Sequence, residues 1–133
     1  MRTIKFRGKI KNGGEWVYGH YSIGGFIHSN GTETERHLIH GEVLYDVDPD
    51  TVGQFTGLLC KNGKEIYEGD IMNNPTSKNI GVVKWNSVLC QFQLSWQNMP
   101  TAADIFFMAE CGSFVIGNIH DSNRELVKGG KDE

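Results

Sequence analysis

Alternation of apolar and polar positions recurs along this chain. Cys90, Phe92, Leu94 and Trp96 alternate with Gln91, Gln93 and Ser95, the cleanest period-two pattern in the sequence, and predict a strand with one buried face. Near the start, Ile4 and Phe6 alternate with Lys5 and Arg7. Beyond Asn12-Gly13, Trp16, Tyr18 and His20 alternate with Val17, Gly19 and Tyr21, so the two segments read as a first hairpin. Phe26-Ile27-His28 and Arg36-His37-Leu38-Ile39 flank Asn30-Gly31 and predict a second hairpin, continued by Glu42-Val43-Leu44-Tyr45. Asp48-Pro49-Asp50 interrupts the pairing, because proline lacks the ladder donor. Residues 80–85 predict a further strand, and residues 102–109 fit a strand or a short helix. Ser122 and Glu125 have capping-box spacing, which predicts a short terminal helix through Val127.

The central stretch from Asp50 to Ile71 is the most specific. Asn62-Gly63 lies between two apolar segments, and this pair readily takes positive φ at both central positions of a type I′ turn, so residues 56–61 and 64–68 are expected to pair antiparallel through it. Lys61 and Lys64 flank the turn as solvent-facing charges. Gly69 reads as a bulge or bend, and the Asp70 carboxylate beside it can accept backbone N–H bonds. Glu65, Glu68 and Asp70 are spaced so that extended chain scatters them over both faces, which argues against an acidic site.

Val52-Gly53-Gln54-Phe55-Thr56-Gly57-Leu58 followed by Lys61-Asn62-Gly63-Lys64-Glu65-Ile66-Tyr67-Glu68-Gly69-Asp70-Ile71 resembles the core signature of the YopX family of small phage and prophage proteins. The opening Arg2-Thr3-Ile4-Lys5-Phe6-Arg7-Gly8, then Gly81-Val82-Val83-Lys84-Trp85, then Val115-Ile116-Gly117-Asn118-Ile119-His120 are similar to its first, next and closing strands, in the right order. Cys60 departs from the acidic residue common before Lys-Asn-Gly, and residues 20–45 and 86–112 carry no motif of the family. The resemblance implies an origin and a fold; it brings no biochemical activity with it.

Length and composition set the same limits. A chain of 133 residues is one domain by the usual prior and long enough to bury roughly two-thirds of its unfolded surface without staples. Seventeen glycines against three prolines, with repeated Asn-Gly pairs, favour many short strands over long helices. The expected architecture is therefore mostly β (a β-rich α+β chain): an SH3-like small barrel over residues 51–120, a strand-rich N-terminal part over 1–50, and the short C-terminal helix. Residues 1–133 would form a single YopX-like domain, with possible subdomains 1–50 and 51–127. No run approaches the ~20 apolar residues of a membrane span and the N-terminus lacks an apolar signal core, so a cytoplasmic location in the bacterial host and no membrane association are expected. Cys60, Cys90 and Cys111 are odd in number and far apart, as befits reduced, partly buried thiols.

Charge changes this picture in one respect. Residues 1–11 carry Arg2, Lys5, Arg7, Lys9 and Lys11 and no acid, whereas residues 33–50 set Glu33, Glu35, Glu42, Asp46, Asp48 and Asp50 against Arg36 alone. Lys5, Arg7, Lys9 and Lys11 are candidate nucleic-acid contacts, with Trp16, Tyr18 or Tyr21 as stacking platforms. A solvated face or a charged edge strand accounts for the same residues, and a net charge of −3 is wrong for a dedicated binder.

Catalytic motifs fail on spacing. Gly57 to Gly63 is one residue too long for a phosphate loop, and Lys64 is followed by Glu65 rather than Ser or Thr. His37 and His40 are separated by an odd offset that sends them to opposite strand faces, and Cys90 or Cys111 with His120 lacks an orienting residue. The sequence therefore supplies no catalytic residue, no cofactor-binding motif and no metal-ligand set. Between Lys84 and Arg124 there is no Lys or Arg, and Ile105-Phe106-Phe107-Met108 would give a strand two apolar faces, one of them in need of a partner. The expected function is that of a non-enzymatic phage accessory or protein-interaction module, self-associating or binding a phage or host protein. The alternative is a nucleic-acid-binding β-barrel using the basic N-terminal strand.

Overall fold

The computed structural model describes residues 3–12 and 14–121, so the expected helix from Ser122 to Val127, together with Arg2 and Gly13, lies outside the described residues. Two compact units divide the chain, Met1–Phe55 and Thr56–Glu133.

In the first unit, β1 (Phe6–Lys9), β2 (Trp16–Ile27), β3 (Glu33–His40), β4 (Leu44–Asp46) and the start of β5 (Gly53–Leu59) form an antiparallel sheet in the order β4-β3-β2-β1-β5. β1 is an interior strand, with Arg7 opposite Tyr18 on one side and Gly53 on the other, which corrects the reading of this segment as a charged edge. One face carries Phe6 against Tyr21, their ring centroids 5.6 Å apart, with Ile39 and Val47 fully buried. Gly19 belongs to the same face, and a Cβ there would meet the His40 carbonyl oxygen at 2.1 Å, so only glycine lets β2 and β3 pair this closely. At Asp48-Pro49-Asp50 the chain makes a 3₁₀ turn, Pro49–Thr51: Asp48 accepts the Asp50 N–H, and the Thr51 hydroxyl donates to the Asp48 carbonyl and accepts the Lys9 N–H.

The second unit holds the rest of β5, then β6 (Glu65–Tyr67), β7 (Asp70–Asn73), β8 (Ile80–Asn86), β9 (Gln91–Trp96), β10 (Ala102–Asp104), α1 (Ile105–Glu110) and β11 (Val115–Asn118). Its five-stranded sheet runs β10-β9-β8-β7-β11. Leu94 and Trp96 of β9 point into a core with Cys60, Ile66, Met72, Val83 and Val115. The mostly-β class stands, but the sheets are open and the expected SH3-like barrel does not close. β10 and β11 end the sheet at opposite edges, and Ile105 to Met108, the segment that would have to lengthen β10, is helical.

Two readings are corrected at residue level. Ile105-Phe106-Phe107-Met108 is no strand. The Asp104 carboxylate accepts the N–H groups of Phe106 and Phe107 at 2.8 and 3.3 Å, a helix N-cap, and Ile105, Met108 and Ala109 turn inward with helical spacing. The Asn62-Gly63 turn is not type I′ either. Gly63 alone has positive φ, 89°; its N–H donates to the Cys60 carbonyl, and the Cys60 N–H donates to the Lys64 carbonyl. The connection is thus a three-residue loop ending in a left-handed glycine, with the Asn62 side chain accepting the Lys64 N–H.

Candidate functional site

Three surfaces contain the residues singled out by the sequence or the chemistry. The first is the basic face of β1. Lys5, Arg7 and Lys9 share one side of the strand, because side chains alternate. The register sets Lys9 opposite Trp16, and the Arg7 guanidinium and the Lys9 ammonium lie 4.6 and 5.5 Å from the centre of that ring. Lys5 lies 5.4 Å over Phe55. Such cation–π contacts contribute about 0.5–2 kcal/mol each as water is excluded, and of the rings proposed for bases they occupy that of Trp16. Arg7 is only 6% exposed, Lys5 and Lys9 are half-buried, and Lys11 is exposed. Tyr18 remains open to solvent, whereas Tyr21 turns to the other face. The sequence therefore groups the cations correctly but does not reveal that the chain's own aromatics cover them.

The second surface is one that sequence reasoning missed. On the opposite face of the same sheet, the Tyr21 hydroxyl donates to His37 Nδ1 at 2.5 Å, which leaves His37 Nε2–H to donate to Glu35 Oε1 at 3.2 Å. The signal was present: Glu35 and His37 are two apart on one strand and so share a face. Burial first, and Glu35 second, raise the Tyr21 phenol above its ordinary value. The chain Tyr21–His37–Glu35 fastens β2 to β3. His40 lies on the other face and meets the Ser22 hydroxyl at 2.7 Å, so His37 and His40 do diverge. Among the described residues no carboxylate bonds the free nitrogen of His40. Also among the described residues, no group of three or more His, Cys, Asp or Glu side chains is placed to hold a metal ion. Cys60 is buried, and Cys90 and Cys111 are exposed free thiols.

The third surface is the outer side of α1. Phe106 and Phe107 are 58% and 62% exposed, while Ile105 and Met108 are buried. The four residues called an interface thus separate: two anchor the helix and two face solvent. The turn residues are structural. Asn62 and Gly63 close the loop described above, Gly69 has a φ of 92°, and buried Asp70 follows it in β7.

Comparison with known proteins bears on the fold. The sequence model of the family described as YopX protein matches residues 5–128. The chain belongs to the YopX family. The match runs through both units of this YopX-family chain and takes in the hairpin, Gly69-Asp70 and the closing strand. Protein EF1440 from Enterococcus faecalis, a crystal structure, is similar at 20% identity, with 95% of this chain and 99% of that chain covered and a TM-score of 0.55. At that identity the likeness shows a shared fold. No curated protein matches the chain. Among the described residues, no helix is long and apolar enough to cross a membrane.

Proposed function

We propose that this YopX-family chain is a non-enzymatic accessory protein of phage or prophage origin, located in the cytoplasm of a bacterial host, that works by binding protein, in the first place a second copy of itself. The observation that carries this reading is the Phe106–Phe107 pair on the outer side of α1. Asp104 caps the helix and Ile105 and Met108 anchor it, so the two rings are held outward by a fixed element rather than by a loose loop. At 58% and 62% exposure the two phenylalanines together offer about 240 Å² of surface, somewhat under a third of the ~800 Å² per subunit of a specific dimer. Met99, Phe114 and Ile116 of the same unit are also exposed and apolar. The non-enzymatic part is supported by the bonding of His28, His37 and His40 to hydroxyl groups of Thr34, Tyr21 and Ser22 on neighbouring strands, where they serve as cross-strand ties. Light scattering on the full chain at tens of micromolar tests the reading: a dimer mass is expected, and a monomer mass removes it.

The second reading is weak nucleic-acid binding by the N-terminal cations. Its support is Lys11, exposed beside Lys9 on a cleft of about 530 Å³ that also includes Asn12, Gly14 and Asp48. Burial of Arg7 and the rings already under Arg7, Lys5 and Lys9 weigh against it. Titration with single- and double-stranded DNA and RNA at low salt is the check. Binding through phosphates must weaken steeply as salt rises, and no binding at micromolar protein ends this reading.

A further inference from the structure

Two neighbouring glycines, Gly24 and Gly25, stand inside β2 with no reason within the chain to be glycine. Glycine in a strand interior loses backbone entropy and packs nothing, and it often marks a bulge, a bend or a place where another backbone or a ligand comes close. For Gly19 of the same strand the obstruction is internal, the His40 carbonyl. At Gly24 and Gly25 no heavy atom lies within 4 Å of an added Cβ, and neither has a φ in the left-handed region. The space over both positions is open.

The surroundings describe what approaches. β4 pairs only with Leu38 to His40, so beyond Ser22 and His37 the hairpin of β2 and β3 is a two-stranded ribbon, a structure of marginal stability by itself. Its Ile23, Gly25 and Ile27 lie opposite His37, Glu35 and Glu33 and continue the face that buries Ile39 at the root of the ribbon. Ile23 and Ile27 are nevertheless 55% and 68% exposed. A groove of about 420 Å³ runs here, lined by Ile23, Gly24, Gly25, Glu33, Thr34 and Glu35. Among the described residues neither Glu33 nor Glu35 has a Lys or Arg partner. Arg36, next in sequence, is turned to the other face and bonded to Asp46. Glu35 is held in place by His37, itself held by Tyr21.

We infer that this ribbon face is a docking groove for an extended, basic and apolar segment of a partner protein. Bare backbone at Gly25 admits the segment closely, Ile23 and Ile27 take its apolar side chains, and Glu33 and Glu35 take its Lys or Arg groups. An acidic strand beside an apolar one selects a cationic segment and repels an acidic one, which is how charge complementarity confers specificity. The inference goes beyond the α1 reading and does not rest on it, since the groove belongs to the other unit.

The test is a titration of the full chain, by calorimetry at low salt, with a short blocked peptide alternating valine and lysine, and with its valine–glutamate counterpart. Saturable binding of the lysine peptide alone is expected. Gly25→Val has room for its side chain and better strand propensity, so it is expected to fold at least as stably as the parent, by thermal denaturation, while losing about tenfold or more in affinity. Glu33→Gln with Glu35→Gln is expected to weaken binding by a similar factor. No binding, equal binding of the acidic peptide, or full affinity in a folded Gly25→Val variant would each overturn the proposal.

Discussion

The Asp70 carboxylate accepts the backbone N–H of Tyr67 at 2.7 Å through Oδ2, inside the second unit, where Asp70 is 2% exposed. The bond closes the turn in which Gly69 takes its positive φ, and the same glycine joins two neighbouring strands: its N–H donates to Val83 and its carbonyl accepts from Ile119. A buried N–H without an acceptor costs about 1–3 kcal/mol. Asp70→Ala is expected to destabilise the chain by at least that amount in urea titration, and Asp70→Asn, which keeps a carbonyl acceptor, by less.

Gly63→Val should cost on the order of 1 kcal/mol or more. Gly63 sits at a φ of 89° with open space around it, so the cost comes from backbone conformation alone, since a β-branched residue resists positive φ. Gly63→Asn should be much milder, because asparagine visits the left-handed region. Equilibrium denaturation of the two variants checks this, and equal losses would contradict it.

The same turn marks how far the sequence can be read. Asn62-Gly63 announces a reversal between apolar segments, but loop length depends on which residues pair across it, and the bond from the Cys60 N–H to the Lys64 carbonyl makes the loop one residue longer than a two-residue turn. In α1 the contiguous apolar run obscured the period, while Asp104, the capping residue, was the local signal for a helix. For the basic face, alternation placed Lys5, Arg7 and Lys9 together, yet their fate depends on register. Lys9 opposite Trp16 is a fact of strand pairing that no local pattern contains.

Acid should weaken the junction of β3 and β4. Arg36 Nε and Nη2 donate to the two Asp46 oxygens at 3.1 and 2.6 Å, and these hydrogen bonds hold the Asp46 carboxyl below its ordinary value, with smaller help from the charges of Arg36 and Lys11. A lowered folded-state value means that the pair stabilises the fold above the ordinary carboxylate range, and that this contribution is lost as pH falls from that range toward the lowered value. The pair is half-exposed, so the effect is small and shrinks with salt. Asp46→Asn is expected to flatten the acid limb of a stability-versus-pH profile measured at low salt. A limb as steep as the parent's would remove the assignment.

Phe106→Glu or Phe107→Glu should dissociate the proposed dimer and leave each subunit folded. Both rings point to solvent within one subunit, so replacing either costs the monomer little, whereas an unpaired carboxylate in a dry interface is strongly disfavoured. Ile105→Glu is the contrasting variant: Ile105 is buried in the core of its own subunit, so that change should unfold the second unit rather than separate intact copies. Light scattering combined with far-ultraviolet circular dichroism distinguishes the two outcomes. A dimer that survives both phenylalanine substitutions would place its interface away from α1.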